Sequence, residues 1–146
     1  MKRISAIALF AAATFIAAGS ALAQNSSVKA TIPFNFKVGN STLPAGTYTI
    51  SSRTNGHNIL AINNWQKNVH VLSMGMSDAG DLSQDNVLVF HKYESKNGTQ
   101  YFLSEVRSSG ASIDMRLVDD RAEKKARAKT EEAGLSVSDP VLLALK

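Results

Sequence analysis

Hydrophobic and polar side chains alternate along the chain from residue 28 onward. Within residues 28–38, six apolar residues fall on one parity and none on the other: Val28, Ala30, Ile32, Phe34, Phe36 and Val38. A period of two is typical of a β-strand with one face on a core. Because Pro33 has no backbone N–H, we expect one side of this strand to be unpaired there, as at a sheet edge or a bulge.

Turn signals divide the following residues into short segments. Leu43-Pro44-Ala45-Gly46 predicts a tight turn, Asn55-Gly56 predicts a hairpin, and Asn63-Asn64 is a third turn candidate. The polar residues 77–86 predict the longest loop. The strands predicted after the first are residues 47–52, 59–62, 69–76, 87–93, 100–107 and 113–117.

The pattern changes to a helical one near residue 120. Asp120 and Glu123 have the spacing of a capping box, and Gly134 is suited to a C-cap, so we expect one helix over about residues 120–133. Its apolar stripe is alanine only, which predicts shallow packing on the sheet or none. Arg127 and Glu131 can pair one turn apart. Residues 141–145 could add a last strand that closes the sheet.

These elements predict an all-β, antiparallel domain with one C-terminal α-helix. We expect seven to eight strands in a barrel-like or sandwich arrangement, since strands separated by turns every few residues are typical of both. A mature chain of this length suits one domain with a single core.

The first 23 residues have the pattern of a cleavable signal peptide. Lys2 and Arg3 precede an uncharged segment, residues 4–18, and Ala21-Leu22-Ala23 provides a cleavage site before Gln24. The uncharged segment is shorter than the roughly 20 apolar residues of a membrane-spanning helix. We therefore expect residues 24–146 to be a periplasmic or secreted domain.

Charge and cysteine content narrow the classes of partner and chemistry. Cleavage would leave 14 Lys and Arg against 12 Asp and Glu, so the formal charge falls from +4 to +2 and does not indicate a nucleic-acid partner. The chain has no cysteine, which excludes disulfides, a lipid anchor on cysteine and thiol catalysis. An integral outer-membrane barrel needs strands of about 9 to 11 residues, and only residues 28–38 form one that long, so we expect no stable membrane insertion.

Metal and cofactor motifs are absent from the sequence. His57, His70 and His91 fall on three separate elements, and no two have the close spacing of a zinc motif. The chain has neither a nucleophile elbow nor a phosphate-binding glycine loop. We expect no metal and no cofactor.

The second hairpin, residues 87–107, carries the most reactive set of polar side chains. If Tyr93 pairs with Tyr101, His91 lies diagonally near Glu105 with Arg107 beyond, because cross-strand neighbours share a face. An imidazole beside a carboxylate can perform acid–base chemistry. Structural ion pairs look the same in a sequence, and we prefer that interpretation.

Three segments together resemble a group of small, uncharacterised exported β proteins of environmental Gram-negative bacteria. The segments are Ile32-Pro33-Phe34-Asn35-Phe36 with Val38-Gly39, Leu43-Pro44-Ala45-Gly46-Thr47-Tyr48, and Val89-Phe90-His91-Lys92-Tyr93 followed by Tyr101-Phe102-Leu103-Ser104-Glu105-Val106. They correspond to strand, turn and hairpin. The group has no established activity, so the resemblance assigns no functional residue.

Two functions remain open from the sequence. The first is a non-enzymatic exported module that binds an unknown ligand or envelope partner through its sheet face or loops. The second is a small periplasmic enzyme that uses a cluster of His91, Glu105 and Arg107, which are the candidate catalytic residues.

Overall fold

A computed structural model describes residues 27–53, 58–77 and 85–145. The predicted signal peptide, Asn55, Gly56 and His57 lie outside these ranges, as does most of the predicted long loop. The elements are β1 (Ser27–Ile32), β2 (Phe36–Val38), β3 (Ser41–Leu43), β4 (Gly46–Arg53), β5 (Ile59–Asn64), β6 (Val69–Ser77), β7 (Val87–Ser95), β8 (Gly98–Ser108), β9 (Ile113–Leu117), α1 (Arg121–Glu132) and β10 (Val141–Ala144). The helix is too short and too polar to cross a bilayer.

The long strand β8 is the branch point of the sheet. One edge of β8 pairs with β7, which in turn pairs with β10. The other edge is shared: residues 105–108 pair with β9, and Phe102 pairs with Lys37 of β2. From β9 the sheet continues through β6, β5 and β4 to β1.

The all-β class with a single helix is confirmed, but the number of strands is ten among the described residues, not seven or eight. The first predicted strand is broken at Pro33, which separates β1 from β2. Gly39, with φ of +59°, then forms a tight turn that lets Ser41 pair with Val38 and creates β3. All pairings are antiparallel except the one between β2 and β8.

The first predicted hairpin is present, since β4 and β5 pair up to Arg53 and Ile59. The prediction of a turn at Asn63-Asn64 is wrong. Both residues belong to β5, and the turn lies at residues 65–68, where Lys67 N donates to Asn64 Oδ1 at 3.0 Å. The turn begins two residues later than predicted, and the side chain of Asn64 caps it from the last position of β5.

The last strand does not close the sheet. β10 pairs with β7 over residues 141–144 and 87–90, and its other side carries no strand among the described residues. At the other end, β1 pairs with β4 only. In the described ranges the sheet is therefore open, with β1 as an edge strand, which agrees with the expectation from Pro33.

The core lies between the inner faces of the sheet and is centred on aromatic rings. Phe36 of β2 packs edge-on against Tyr48 of β4 and Phe90 of β7, with ring centroids 5.2 and 5.6 Å apart. Phe34 stacks on Tyr101 at 4.1 Å. The alternation predicted for residues 28–38 persists across the break at Pro33, because its apolar parity faces this core on both sides.

A β-bulge divides the pairing of β7 with β8. Val89 pairs with Glu105 and Phe90 with Leu103, so Ser104 is the extra residue. The predicted pairing of Tyr93 with Tyr101 is therefore wrong, and Tyr93 pairs with Gln100. The bulge reverses the parity of β8 with respect to the two faces of the sheet.

Helix α1 packs on the outer face of β7 and β8. Ala126 forms a small apolar cluster with Tyr93 and Phe102, and Thr130 donates a hydrogen bond to the carbonyl of Glu94 at 2.9 Å. Asp120 is the N-cap, and its side chain accepts from Glu123 N at 2.9 Å. The observed helix begins and ends within one residue of the predicted bounds.

Candidate functional site

The bulge places the three predicted site residues on the outer face of the sheet, on the side where α1 packs. On the side of the bulge toward the hairpin turn, His91 pairs with Phe102. Phe102 belongs to the apolar cluster that also contains Tyr93 and Ala126 of α1. On the other side, below the bulge, Glu105 and Arg107 take the outer positions while the intervening Val106 is fully buried in the main core. Cross-strand pairing therefore gives His91 and Glu105 a common face, as predicted. The register implied by the prediction holds below the bulge, where Val89 pairs with Glu105, and is shifted by one residue above it.

Glu105 is held by two arginines. Arg107, two residues along β8, forms an ion pair with its carboxylate, and Arg116 of β9 donates from Nε at 3.0 Å and from Nη2 at 2.9 Å. The predicted proximity of Glu105 and Arg107 is therefore observed. Both oxygens of the Glu105 carboxylate are therefore bonded to guanidinium groups.

The partner of His91 is Glu123 of α1. Nδ1 of His91 donates to Glu123 Oε1 at 2.6 Å, and the hydroxyl of Tyr93 donates to the same oxygen at 3.1 Å. Glu123 is only 5% exposed. Sequence analysis assigned this residue to a capping box, but its carboxylate turns toward the sheet while its backbone N–H serves the cap.

The two groups that donate to Glu123, the His91 imidazole and the Tyr93 hydroxyl, both have raised pKa values. The hydrogen bond to Glu123 raises the pKa of His91 above its ordinary value of 6.5, outweighing the opposing effect of burial. Burial raises the pKa of the Tyr93 hydroxyl. The imidazole is therefore favoured in its charged form beside a buried carboxylate.

Arg127 joins this group from the next turn of α1. Its guanidinium donates to the Tyr93 hydroxyl at 3.2 Å and to Asp119 Oδ2 at 3.3 Å. The partner predicted for Arg127 was Glu131, and the structure places the guanidinium against the sheet instead. His91, Glu123, Tyr93, Arg127 and Asp119 thus form one polar group between α1 and β7, which we call the helix–sheet cluster.

One subset of the helix–sheet cluster has the composition of a metal-binding group. His91, Asp119 and Glu123 each offer a ligand atom, and these atoms lie within 4.8 Å of one another. Among the described residues, His70 is not part of this group: it lies on β6, hydrogen-bonded to Asn63 and edge-on to Trp65. His57 lies outside the described residues.

A surface cleft of about 470 Å³ lies beside the helix–sheet cluster. Its polar side chains include His91, Glu105 and Asp119, and its apolar side includes Met76 and Val118. Two of the three predicted site residues therefore line one concavity. The cleft combines charged groups that can orient a ligand with apolar surface that can bury it.

The apolar side of the cleft continues as an exposed stripe along β6. Leu72, Met74 and Met76 are 67%, 75% and 62% exposed, and Val118 beside them is 60% exposed. We call these four residues the β6 stripe. The alternation of β6 was predicted from the sequence. In the structure, the face of β6 that carries Leu72, Met74 and Met76 is exposed to solvent, and the opposite face packs Val69 and Val71 against the core.

Comparisons with known proteins identify no relative of this chain. No protein-family model, no curated protein and no solved structure matches it. The resemblance to a group of exported β proteins stays a prediction. What the site can do therefore follows from its geometry and chemistry alone.

Proposed function

We propose that the mature chain is an exported, non-enzymatic β module that binds an envelope partner through the outer face of a barrel-like sheet. The observation that carries this proposal is the β6 stripe. Four large apolar side chains, each at least 60% exposed, lie together on one face. Scattered apolar side chains are ordinary on a protein surface, whereas a contiguous group next to polar residues is typical of a binding surface.

The chemistry of the stripe favours a protein partner. Met74 and Met76 have flexible, polarisable side chains, which adapt to irregular apolar surfaces of a partner. Leu72 extends the stripe toward the middle of β6. A cluster of this kind, surrounded by polar residues, resembles the apolar centre and polar rim of protein interfaces.

Charged residues next to the stripe supply the rim. The register places Met76 opposite Arg116, and Arg116 opposite Glu105, so the apolar and charged residues share the outer face. Because Glu105 and Arg116 are paired with each other, a partner can contact them without leaving a charge unpaired. We therefore expect the charged rim to contribute more to the specificity of partner binding than to its affinity.

Site-specific photo-crosslinking in cells tests this proposal. A photo-reactive phenylalanine analogue at position 74 is expected to give one discrete adduct with an envelope protein. The same analogue at Lys124, exposed on α1, is expected to give none. Leu72→Ser should reduce the adduct from position 74, whereas Leu142→Ser, at an exposed apolar residue of β10, should not.

Three results contradict the proposal. They are the absence of an adduct from position 74, the same adduct from positions 74 and 124, and an adduct that Leu72→Ser leaves unchanged. Circular dichroism of each variant verifies that the fold is retained. Mass spectrometry of the mature N-terminus from fractionated cells tests export separately, since cleavage after Ala23 is the predicted result.

The alternative proposal is a small periplasmic enzyme that uses His91, Glu105 and Arg107. It is favoured by one observation, that His91 and Glu105 line the same cleft. Against it, the imidazole is bonded to Glu123 and the Glu105 carboxylate to two arginines. General acid–base catalysis requires a group within reach of the substrate proton, and both oxygens of the Glu105 carboxylate are taken by arginine side chains.

A further inference from the structure

We propose that His91, Asp119 and Glu123 bind a divalent transition-metal ion, with Zn²⁺ as the best fit. The three residues come from β7, from the segment between β9 and α1, and from the first turn of α1. Their ligand atoms lie within 4.8 Å of one another. This inference does not depend on the proposed binding of an envelope partner.

The donor set suits zinc. Imidazole nitrogen and carboxylate oxygen are ordinary zinc ligands, and sites with three protein ligands keep a fourth position for water or a substrate. Two carboxylates offset the two charges of the ion. His91 and Asp119 also line the cleft, so the fourth position would face its interior.

The geometry needs only a small adjustment. Bonds of about 2.1 Å to a tetrahedral zinc place ligand atoms about 3.4 Å apart. No pair of these ligand atoms would therefore have to close by more than about 1.4 Å. The ion would take the place of the hydrogen bond between His91 Nδ1 and Glu123 Oε1, which widens to admit it.

Hydrogen bonds from neighbouring side chains already orient two of the proposed ligands, Glu123 and Asp119. The Tyr93 hydroxyl donates to Glu123 at 3.1 Å, and Arg127 donates to Oδ2 of Asp119 at 3.3 Å. Carboxylates that bind metals are commonly held by such outer hydrogen bonds. Since Arg127 contacts one oxygen of Asp119, the second oxygen is left for the ion.

The proposal is tested by titrating the purified, chelator-treated protein with ZnCl₂ in a calorimeter. One ion per chain is expected. His91→Ala and Asp119→Asn should each weaken binding by more than 100-fold or abolish it. Two matched controls, His70→Ala and Glu105→Gln, should bind as the wild type does, because His70 lies on β6 and Glu105 is bonded to arginines.

Two further measurements separate a ligand role from a structural one. Tyr93→Phe removes an outer hydrogen bond and should weaken zinc binding by about 10–100-fold. Co²⁺ in place of Zn²⁺ should give visible absorption bands of a low-coordinate nitrogen and oxygen site, and Asp119→Asn should abolish them. Circular dichroism without metal verifies that each variant is folded.

The proposal is overturned if the wild type binds no Zn²⁺ at micromolar concentrations. It is also overturned if His70→Ala removes the binding, or if a folded Asp119→Asn variant binds as tightly as the wild type. Each of these results leaves the proposal of partner binding through the β6 stripe untouched, because the photo-crosslinking experiment does not involve metal.

Discussion

Nδ1 of His91 lies 2.6 Å from Oε1 of Glu123, and this contact ties α1 to β7 across the outer face of the sheet. Glu123 is the one charged residue among the buried side chains of the described residues. Burying a carboxylate is costly unless it is paired and hydrogen-bonded. This pair therefore adds a buried polar contact to the docking of a helix whose apolar face is only alanine, beside the hydrogen bond from Thr130 to the Glu94 carbonyl.

The contribution of His91 to stability should depend on pH. In the unfolded chain the imidazole has a pKa of about 6.5, and the bond to Glu123 raises the pKa in the folded protein. The stabilisation is therefore fully present below about pH 6.5 and is lost as the pH rises through the raised pKa. Urea unfolding between pH 5.5 and 9, in a buffer that contains a chelator, measures this contribution to the free energy of unfolding.

His91→Asn provides the comparison for that titration. The difference in free energy of unfolding between wild type and variant should be largest at the acidic end and should shrink as the pH rises. A difference that stays constant, or grows toward alkaline pH, contradicts the assignment of the charged imidazole to this pair.

Glu123→Gln should destabilise the protein without metal. The substitution keeps the shape of the side chain but removes the charge that accepts from His91 and Tyr93, which should cost about 1.5–3 kcal/mol. Glu131→Gln is the matched control, because Glu131 is exposed on the same helix, and its effect should stay within about 0.5 kcal/mol. Equal effects would contradict the argument.

Hydrogen exchange of the backbone amides shows which elements lose stability in the Glu123→Gln variant. In Glu123→Gln, the amides of α1 should exchange faster than in the wild type, while those of β4 and β5 should change little, because the hydrogen bonds and apolar contacts described for the helix are with β7 and β8. Uniform acceleration over the described elements would indicate global destabilisation instead of a loosened helix.

Local patterns in the sequence were enough to predict much of the fold. The alternation of residues 28–38, the N-cap Asp120 and the left-handed Gly134 directly after the C-cap Ala133 each depend on neighbours within a few positions. These features correspond to β1, β2 and α1 in the structure. The strand β3, which follows the turn at Gly39-Asn40, was not predicted, because three residues are too few to show a period.

The candidate site was harder to predict because it depends on register. An extra residue at Ser104 shifts the pairing of β7 by one, and nothing in the composition of β8 signals a bulge. The side chain of Glu123 was assigned to the helix cap, since its position in a helix says nothing about which strand the helix covers. The residue type of His91 was enough to single it out as a candidate, whereas its partner Glu123 could not be predicted from the sequence.

Deleting Ser104 should prevent folding. Without the extra residue, β8 keeps one parity throughout, so Val106 would turn outward and Glu105 inward in the region that pairs with β9. Val106 is fully buried, and Glu105 would enter the core without its arginines. Near-ultraviolet circular dichroism is expected to show the loss of packed aromatic rings.

Ser104→Ala is the control for the deletion, because it keeps the residue count and removes only the hydroxyl. It should fold and lose no more than about 1 kcal/mol. A deletion variant that keeps the wild-type near-ultraviolet spectrum would show that the bulge can move along β8, and the assigned register would then be wrong.

Gly75 tests the contact between β6 and β9. A Cβ at this position would lie 2.9 Å from the carbonyl oxygen of Arg116 and 3.1 Å from Cε of Met115. The first is a backbone atom that cannot move without separating the strands. Gly75→Ala should therefore lower the free energy of unfolding by about 1–3 kcal/mol, as overpacking commonly does.

Gly110→Ala is the matched control for this substitution. A Cβ at Gly110 meets nothing within 4 Å, and its backbone φ lies outside the left-handed region. Alanine there should be neutral, or should stabilise by about 0.4–1 kcal/mol because it restricts the unfolded chain. If urea unfolding finds Gly75→Ala as stable as Gly110→Ala, then β6 and β9 do not approach as closely as described, and the outer row from Met76 through Arg116 to Glu105 loses its support.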